Sequence, residues 1–126
     1  MKHVFSALIL GAALAASQAY AACAYPVAPG KFPDGAQASK EEMLAAKGQV
    51  VQYNTEMDAY LGCIKTEYDA SVAGLTSPTK EQLAKLEKSQ VQKQDAALKE
   101  VTDVTERFNE QLRAWKAKNT AEKKPS

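Results

Sequence analysis

Proline placement constrains this chain more than any other feature. Pro26, Pro29 and Pro33 lie three and four residues apart, with Gly30 and Gly35 among them, and no proline follows until Pro78. Proline fixes φ and removes a backbone donor, so residues 22–38 cannot form a helix. They read as an extended, turn-rich arm, with Pro33-Asp34-Gly35 as a turn.

After the arm the pattern changes. Ser39 is a good N-cap, and Glu42 completes an S-x-x-E capping box. Met43, Ala46, Val50, Tyr53, Met57, Tyr60 and Ile64 then recur every three or four residues, which is helical period. This predicts helix 1 over about 39–73, roughly 50 Å long at 1.5 Å per residue. Gly74 suits a C-cap and Pro78 the first turn of a second helix, with Thr79 and Gln82 as a further capping box. Leu83, Leu86, Ala97, Val101, Val104, Phe108, Leu112 and Trp115 give helix 2 an apolar face over about 78–117, weakened at Gln90 and Gln94. Its exposed side offers Glu81–Lys85, Asp95–Lys99 and Asp103–Arg107 as i,i+4 pairs. Residues 119–126 read as a disordered tail, fraying from Ala117 onward.

Two helices of similar length joined by a short turn fold back antiparallel. The fold class is therefore all-α: a long antiparallel two-helix hairpin, spanning about 39–118, with an extended N-terminal arm. Charge supports the pairing. Residues 22–75 hold four basic and seven acidic groups, and residues 76–126 hold eleven and eight. The attraction is modest, because surface pairs are each worth about 0–1 kcal/mol.

The first 21 residues have a different character. Lys2 and His3 precede a thirteen-residue apolar run, Val4 to Ala16, which is short for a bilayer span. Ala19-Tyr20-Ala21 is a small-residue cleavage site. The segment reads as a secretory signal peptide over 1–21, with the periplasm as destination. Cleavage removes Lys2 and leaves 15 basic and 15 acidic side chains. A chain without net charge has no long-range attraction for nucleic acid. Cleavage also removes the one histidine. Histidine metal sites, histidine bases and nucleophile–histidine dyads are thereby excluded.

Cys23 and Cys63 are the two cysteines. In an oxidising compartment such a pair forms a disulfide. Geometry permits it: Cys63 lies about 36 Å along helix 1, and the arm back from Ser39 reaches at most about 53–58 Å. The bond closes a loop of about 40 residues, worth on the order of 4 kcal/mol. Gly48, Thr55, Ala59, Gly62 and Thr66 fall on one strip of helix 1, away from the apolar stripe. Small residues admit a close backbone, so the strip is the expected docking track for the arm. The competing reading makes Cys23 a lipid-anchored lipoprotein cysteine, although Tyr20 stands where a lipobox has leucine.

Cys23, Pro26, Pro29, Phe32-Pro33-Asp34-Gly35, Glu42-Met43, Ala46, Val50, Tyr53, Met57 and Tyr60-Leu61-x-Cys63 together resemble a family of small uncharacterised exported proteobacterial proteins. The resemblance covers residues 23–63. It implies export and this architecture, and carries no activity.

Tyr53, Tyr60 and Tyr68 sit on the core stripe and read as packing residues, and few basic residues surround them. Trp115 is expected to cover the start of helix 1 or the Phe32-Pro33 turn. Arg113, Lys116, Lys118, Lys123 and Lys124 make the C-terminal end basic, which leaves room for membrane contact but suits a helix C-terminus equally. No catalytic residue, cofactor site or metal site is assigned. The expected role is a non-enzymatic periplasmic interaction or structural module. Its partner is an envelope protein or a second copy in a four-helix bundle, with Leu44, Val51 and Leu98 as contact candidates. A holdase-like chaperone is the alternative. The intact mass of the exported protein is expected to begin at Ala22 and to rise by about two daltons on reduction. Added acyl mass, or a dimer mass that halves on reduction, would refute the tethered arm.

Overall fold

The computed structural model describes residues 22–124, so the signal-peptide reading over 1–21 lies outside the described residues. The described chain is all-helical, with α1 over Lys40–Ala73 and α2 over Lys80–Glu122. The two helices pack on each other as an antiparallel hairpin.

Both helices start where local chemistry predicts. The Ser39 hydroxyl accepts from the Glu42 amide at 3.2 Å, and the Glu42 carboxylate accepts from the Ser39 amide at 2.7 Å. That backbone hydrogen bond holds the Glu42 carboxyl below its ordinary pKa. Thr79 and Gln82 repeat the reciprocal arrangement at 3.2 and 2.9 Å. Helix α2 therefore begins at Lys80, two residues later than expected, because Thr79 takes the cap and Pro78 stays outside.

Three expectations about chain ends and pairs need correction. Helix α2 continues to Glu122 rather than fraying at Ala117, since no breaker intervenes before Pro125. Gly74 caps α1 with right-handed backbone, and the left-handed residue of the turn is Ser77 at φ 50°. Lys99 pairs with Asp103 rather than Asp95, and Arg107 turns toward the arm. Only Glu81–Lys85 forms as expected, at 3.1 Å.

The core is the α1 stripe. Met43, Ala46, Val50, Tyr53, Met57, Tyr60 and Ile64 are all buried. Helix α2 answers with Ala97, Val104 and Phe108, and Val101, Leu112 and Trp115 pack at its margin. Burial is uneven along the hairpin: no residue from Lys65 to Ala96 is fully buried. The weak apolar pattern around Gln90 and Gln94 falls in this turn-side part.

One glycine is dictated by close approach. A Cβ on Gly35 would collide with the Gln111 carbonyl and lie 2.9 Å from the Trp115 nitrogen, so the arm's turn presses directly on the α2 backbone. Gly48 and Gly62 face open space. Gly35→Ala is expected to lower stability by about 1–3 kcal/mol. Gly48→Ala and Gly62→Ala are expected to raise it by about 0.5–1 kcal/mol each, from helix propensity. Urea unfolding of the three variants checks both signs. A neutral Gly35→Ala would contradict the close approach.

Candidate functional site

The feature the rest of the fold positions is the groove between α1 and α2, with the arm laid in it. The turn starts the return path. The Asp34 carbonyl accepts from the Gln37 and Ala38 amides at 2.9 and 2.8 Å, and its carboxylate accepts from the Ala36 amide at 2.9 Å. Asp34 thus folds the chain over locally, as Asx turns do. From there the arm runs back toward the hairpin turn.

Polar side chains of the helices grip the arm's backbone along its length. The Gly35 amide donates to Gln111 Oε1 at 2.9 Å. The Arg107 guanidinium donates to the Gly30 carbonyl at 2.6 Å and the Pro29 carbonyl at 3.1 Å. Proline-rich backbone lacks some donors but keeps its carbonyls, and a fork of N–H groups suits them. The Cys23 amide donates to Glu67 Oε1 at 3.3 Å, and Lys93 holds the other carboxylate oxygen at 3.4 Å.

Two aromatic anchors fix the arm between these clamps. Phe32 meets Phe108 edge-on at 5.7 Å, with the Arg107 guanidinium 5.6 Å from the Phe32 ring centre. Tyr25 meets Tyr60 edge-on at 4.8 Å, and its hydroxyl donates to Glu100 at 2.6 Å. Such aromatic contacts add about 0.5–1.5 kcal/mol beyond area burial. Burial first, and then the Glu100 carboxylate, push the Tyr25 phenol above its ordinary pKa. Tyr53, beneath the arm, is raised by burial and by the same carboxylate, with Arg107 acting in the opposite sense.

The far end is covalent. Cys23 and Cys63 form a disulfide with Cα atoms 5.7 Å apart. The lipid-anchor alternative would need the Cys23 thiol that this bond engages. The expected docking strip is corrected. Gly48 and Gly62 have nothing near a would-be Cβ, and both are exposed. Thr55 and Thr66 are exposed and turn their hydroxyls to the Val51 and Gly62 carbonyls of their own helix. Ala59 alone borders the arm, beside Tyr25, Pro26 and Val27. The arm prefers the groove because there it touches both helices and covers the tyrosine seam; the strip offers one helix and no apolar surface.

Sequence reasoning missed Glu67, Glu100, Arg107 and Gln111. Their signal was spacing: Glu100, Arg107 and Gln111 recur at seven and four residues along one edge of α2. Past Cys23 the groove stays open, as a cleft of about 410 Å³ lined by Ile64, Glu67, Ser71, Leu86, Gln90 and Lys93 among others. Among the described residues no cluster of metal-ligating side chains occurs, and no helix is long and apolar enough to cross a membrane. Comparison with family models, curated proteins and solved structures returned no match.

The disulfide and Tyr25 make a joint prediction. Cys63→Ser is expected to cost up to about 4 kcal/mol of stability in the chain-entropy model. Tyr25 deepens the loss at high pH. Its phenol has a raised pKa when folded, so its contribution is complete below the ordinary tyrosine pKa and disappears as pH rises through the folded value. Ultraviolet titration should show two late-titrating tyrosines, Tyr25 and Tyr53, of which one is lost in Tyr25→Phe, and Tyr25 should return to the ordinary range in Cys63→Ser. An unchanged titration in Cys63→Ser would mean the arm docks without its tether.

Proposed function

We propose that the protein is an exported, non-enzymatic interaction or structural module of the periplasm. One observation carries the reading. The long-range polar contacts of the helices (Glu67, Glu100, Arg107 and Gln111) are engaged in holding the chain's own arm. What they build is an elongated, internally tied body whose lateral surface is large relative to its core. Helix α2, at 43 residues, extends about 65 Å.

The leader-like first 21 residues and a disulfide that an oxidising compartment would maintain support export. Exposed apolar side chains supply contact surface: Leu44 and Val51 on α1, each 56% exposed, and Val91 and Leu98 on α2. A holdase-like chaperone is the second reading, favoured by the open apolar cleft past the arm.

Photo-crosslinking groups placed at Val51 and Leu98 in the native envelope test the proposal. An interaction module should give discrete adducts from one of these faces, lost when excess unlabelled protein competes. A holdase should give a smear of adducts and suppress aggregation of an unfolded envelope protein at near-stoichiometric ratio. Absence of both behaviours, or recovery of the protein in the cytoplasmic fraction, would overturn the reading.

A further inference from the structure

The arm is held at its two ends in different ways. At Gly35 it presses on the Gln111 carbonyl, and at Cys23 it is bonded to Cys63. Between these points every hold is noncovalent: hydrogen bonds to Arg107 and Glu100 and two aromatic contacts. Without the disulfide, the chain before the Gly35 turn can lift from the groove by local opening, at a free energy well below that of global unfolding. With the disulfide closed, Cys23 stays fixed on α1, and among the described residues only Ala22 precedes it.

The expected leader cleavage, after Ala21, leaves just Ala22 between the cut and the pinned cysteine. Ala21 lies outside the described residues, but the other side of the bond, Ala22 and Cys23, does not. Cys23 is half-buried, and its amide donates to Glu67. The arm runs toward the hairpin's turn, so the chain before Cys23 starts between walls. Helix α1 continues to Ala73, about 15 Å past Cys63. Glu67, Ser71, Gln90 and Lys93 line the cleft ahead. A peptidase must seat substrate on both sides of the bond it cuts, and a folded chain offers that only by opening locally.

We infer an order of reactions: the Ala21–Ala22 peptide bond is hydrolysed before the Cys23–Cys63 disulfide forms, and the disulfide, once formed, closes the chain to leader removal. The inference rests on the export reading. Water divides the peptide bond, leaving a carboxylate on Ala21 and an ammonium on Ala22. The ammonium arises next to Cys23, whose amide already meets the Glu67 carboxylate. The two thiols then pass two electrons and two protons to a disulfide-bearing oxidant, which leaves as a dithiol. The substrate of the leader-removing hydrolase is therefore the thiol form of the precursor. A precursor oxidised first keeps its leader, because the bond to be cut is tied to the flank of the hairpin.

The test uses the full precursor in detergent micelles with a purified signal peptidase, and reads the rate at which product beginning at Ala22 appears. The precursor is supplied as the dithiol and as the preformed disulfide. The dithiol should be cut, and the disulfide form should be cut at least about tenfold more slowly. Cys63→Ser should be cut at the dithiol rate with or without oxidant, which separates the bond itself from any effect of redox conditions on the peptidase. A flexible insert of about six Gly and Ser residues between Ala22 and Cys23, roughly 20 Å when extended, should restore cutting of the disulfide form. Equal rates for the two forms, slow cutting of Cys63→Ser, or a disulfide form that stays uncut despite the insert would overturn the ordering and leave the export reading standing. Failure of the peptidase to cut either form would overturn the export reading and the ordering with it.

Discussion

An antiparallel pair of helices can bury only one seam, and everything else in this structure depends on how that seam is sealed. Tyr53, Met57, Tyr60 and Ile64 are nearly inaccessible, a depth that two helices alone cannot give to side chains this large. The arm supplies the missing layer. It has no secondary structure of its own and lies in the groove as a bound peptide would, with Phe32 and Tyr25 as anchors. A covalent bond holds one end and a close backbone approach holds the other.

The clamps explain the composition of one edge of α2. Extended chain laid across helices cannot satisfy its backbone from a sheet ladder, so side chains must do it. Arg107 serves two consecutive carbonyls and also lies over the Phe32 ring, so one residue performs both the polar and the apolar part of the grip. Glu100 accepts the Tyr25 hydroxyl, which lets a tyrosine pack its ring on Tyr60 without stranding its polar tip. These groups sit on the surface of the hairpin, yet they act over sequence separations of 75 residues and more.

The seam was legible in the sequence because helical period reports burial directly: Met43 through Ile64 is buried residue for residue. The caps were legible because Ser39–Glu42 and Thr79–Gln82 encode their own hydrogen bonds locally. The disulfide was legible from reach. The path of the arm was not. Small residues at Gly48 and Gly62 permit a close approach but do not cause one, and a small exposed residue looks the same whether or not something covers it. The close approach falls instead at Gly35, in a turn where glycine is expected for other reasons. Arg107 and Glu100 read as solvated charges because their partners are backbone atoms and a phenol far away in sequence. The extent of α2 is not legible because a polar, lysine-rich end has the composition of a fraying tail, yet with no proline or glycine before Pro125 the helix runs on to Glu122.

The disulfide joins α1 at residue 63, well short of the hairpin's turn. It divides the molecule mechanically. On one side lie every fully buried side chain, both aromatic anchors and the Arg107 and Gln111 clamps. On the other, from Lys65 to Ala96, the helices run together over half-buried residues, an open cleft and a single ion pair between them. Free energy of opening follows buried contacts and cross-links, so the turn-side part is the cooperative unit that opens first. Its two helix segments, joined through the turn at 74–79, can loosen against each other and close again while the part covered by the tethered arm stays folded. The protein therefore combines a rigid body with a compliant tip in one continuous pair of helices, and the placement of one cysteine sets the boundary.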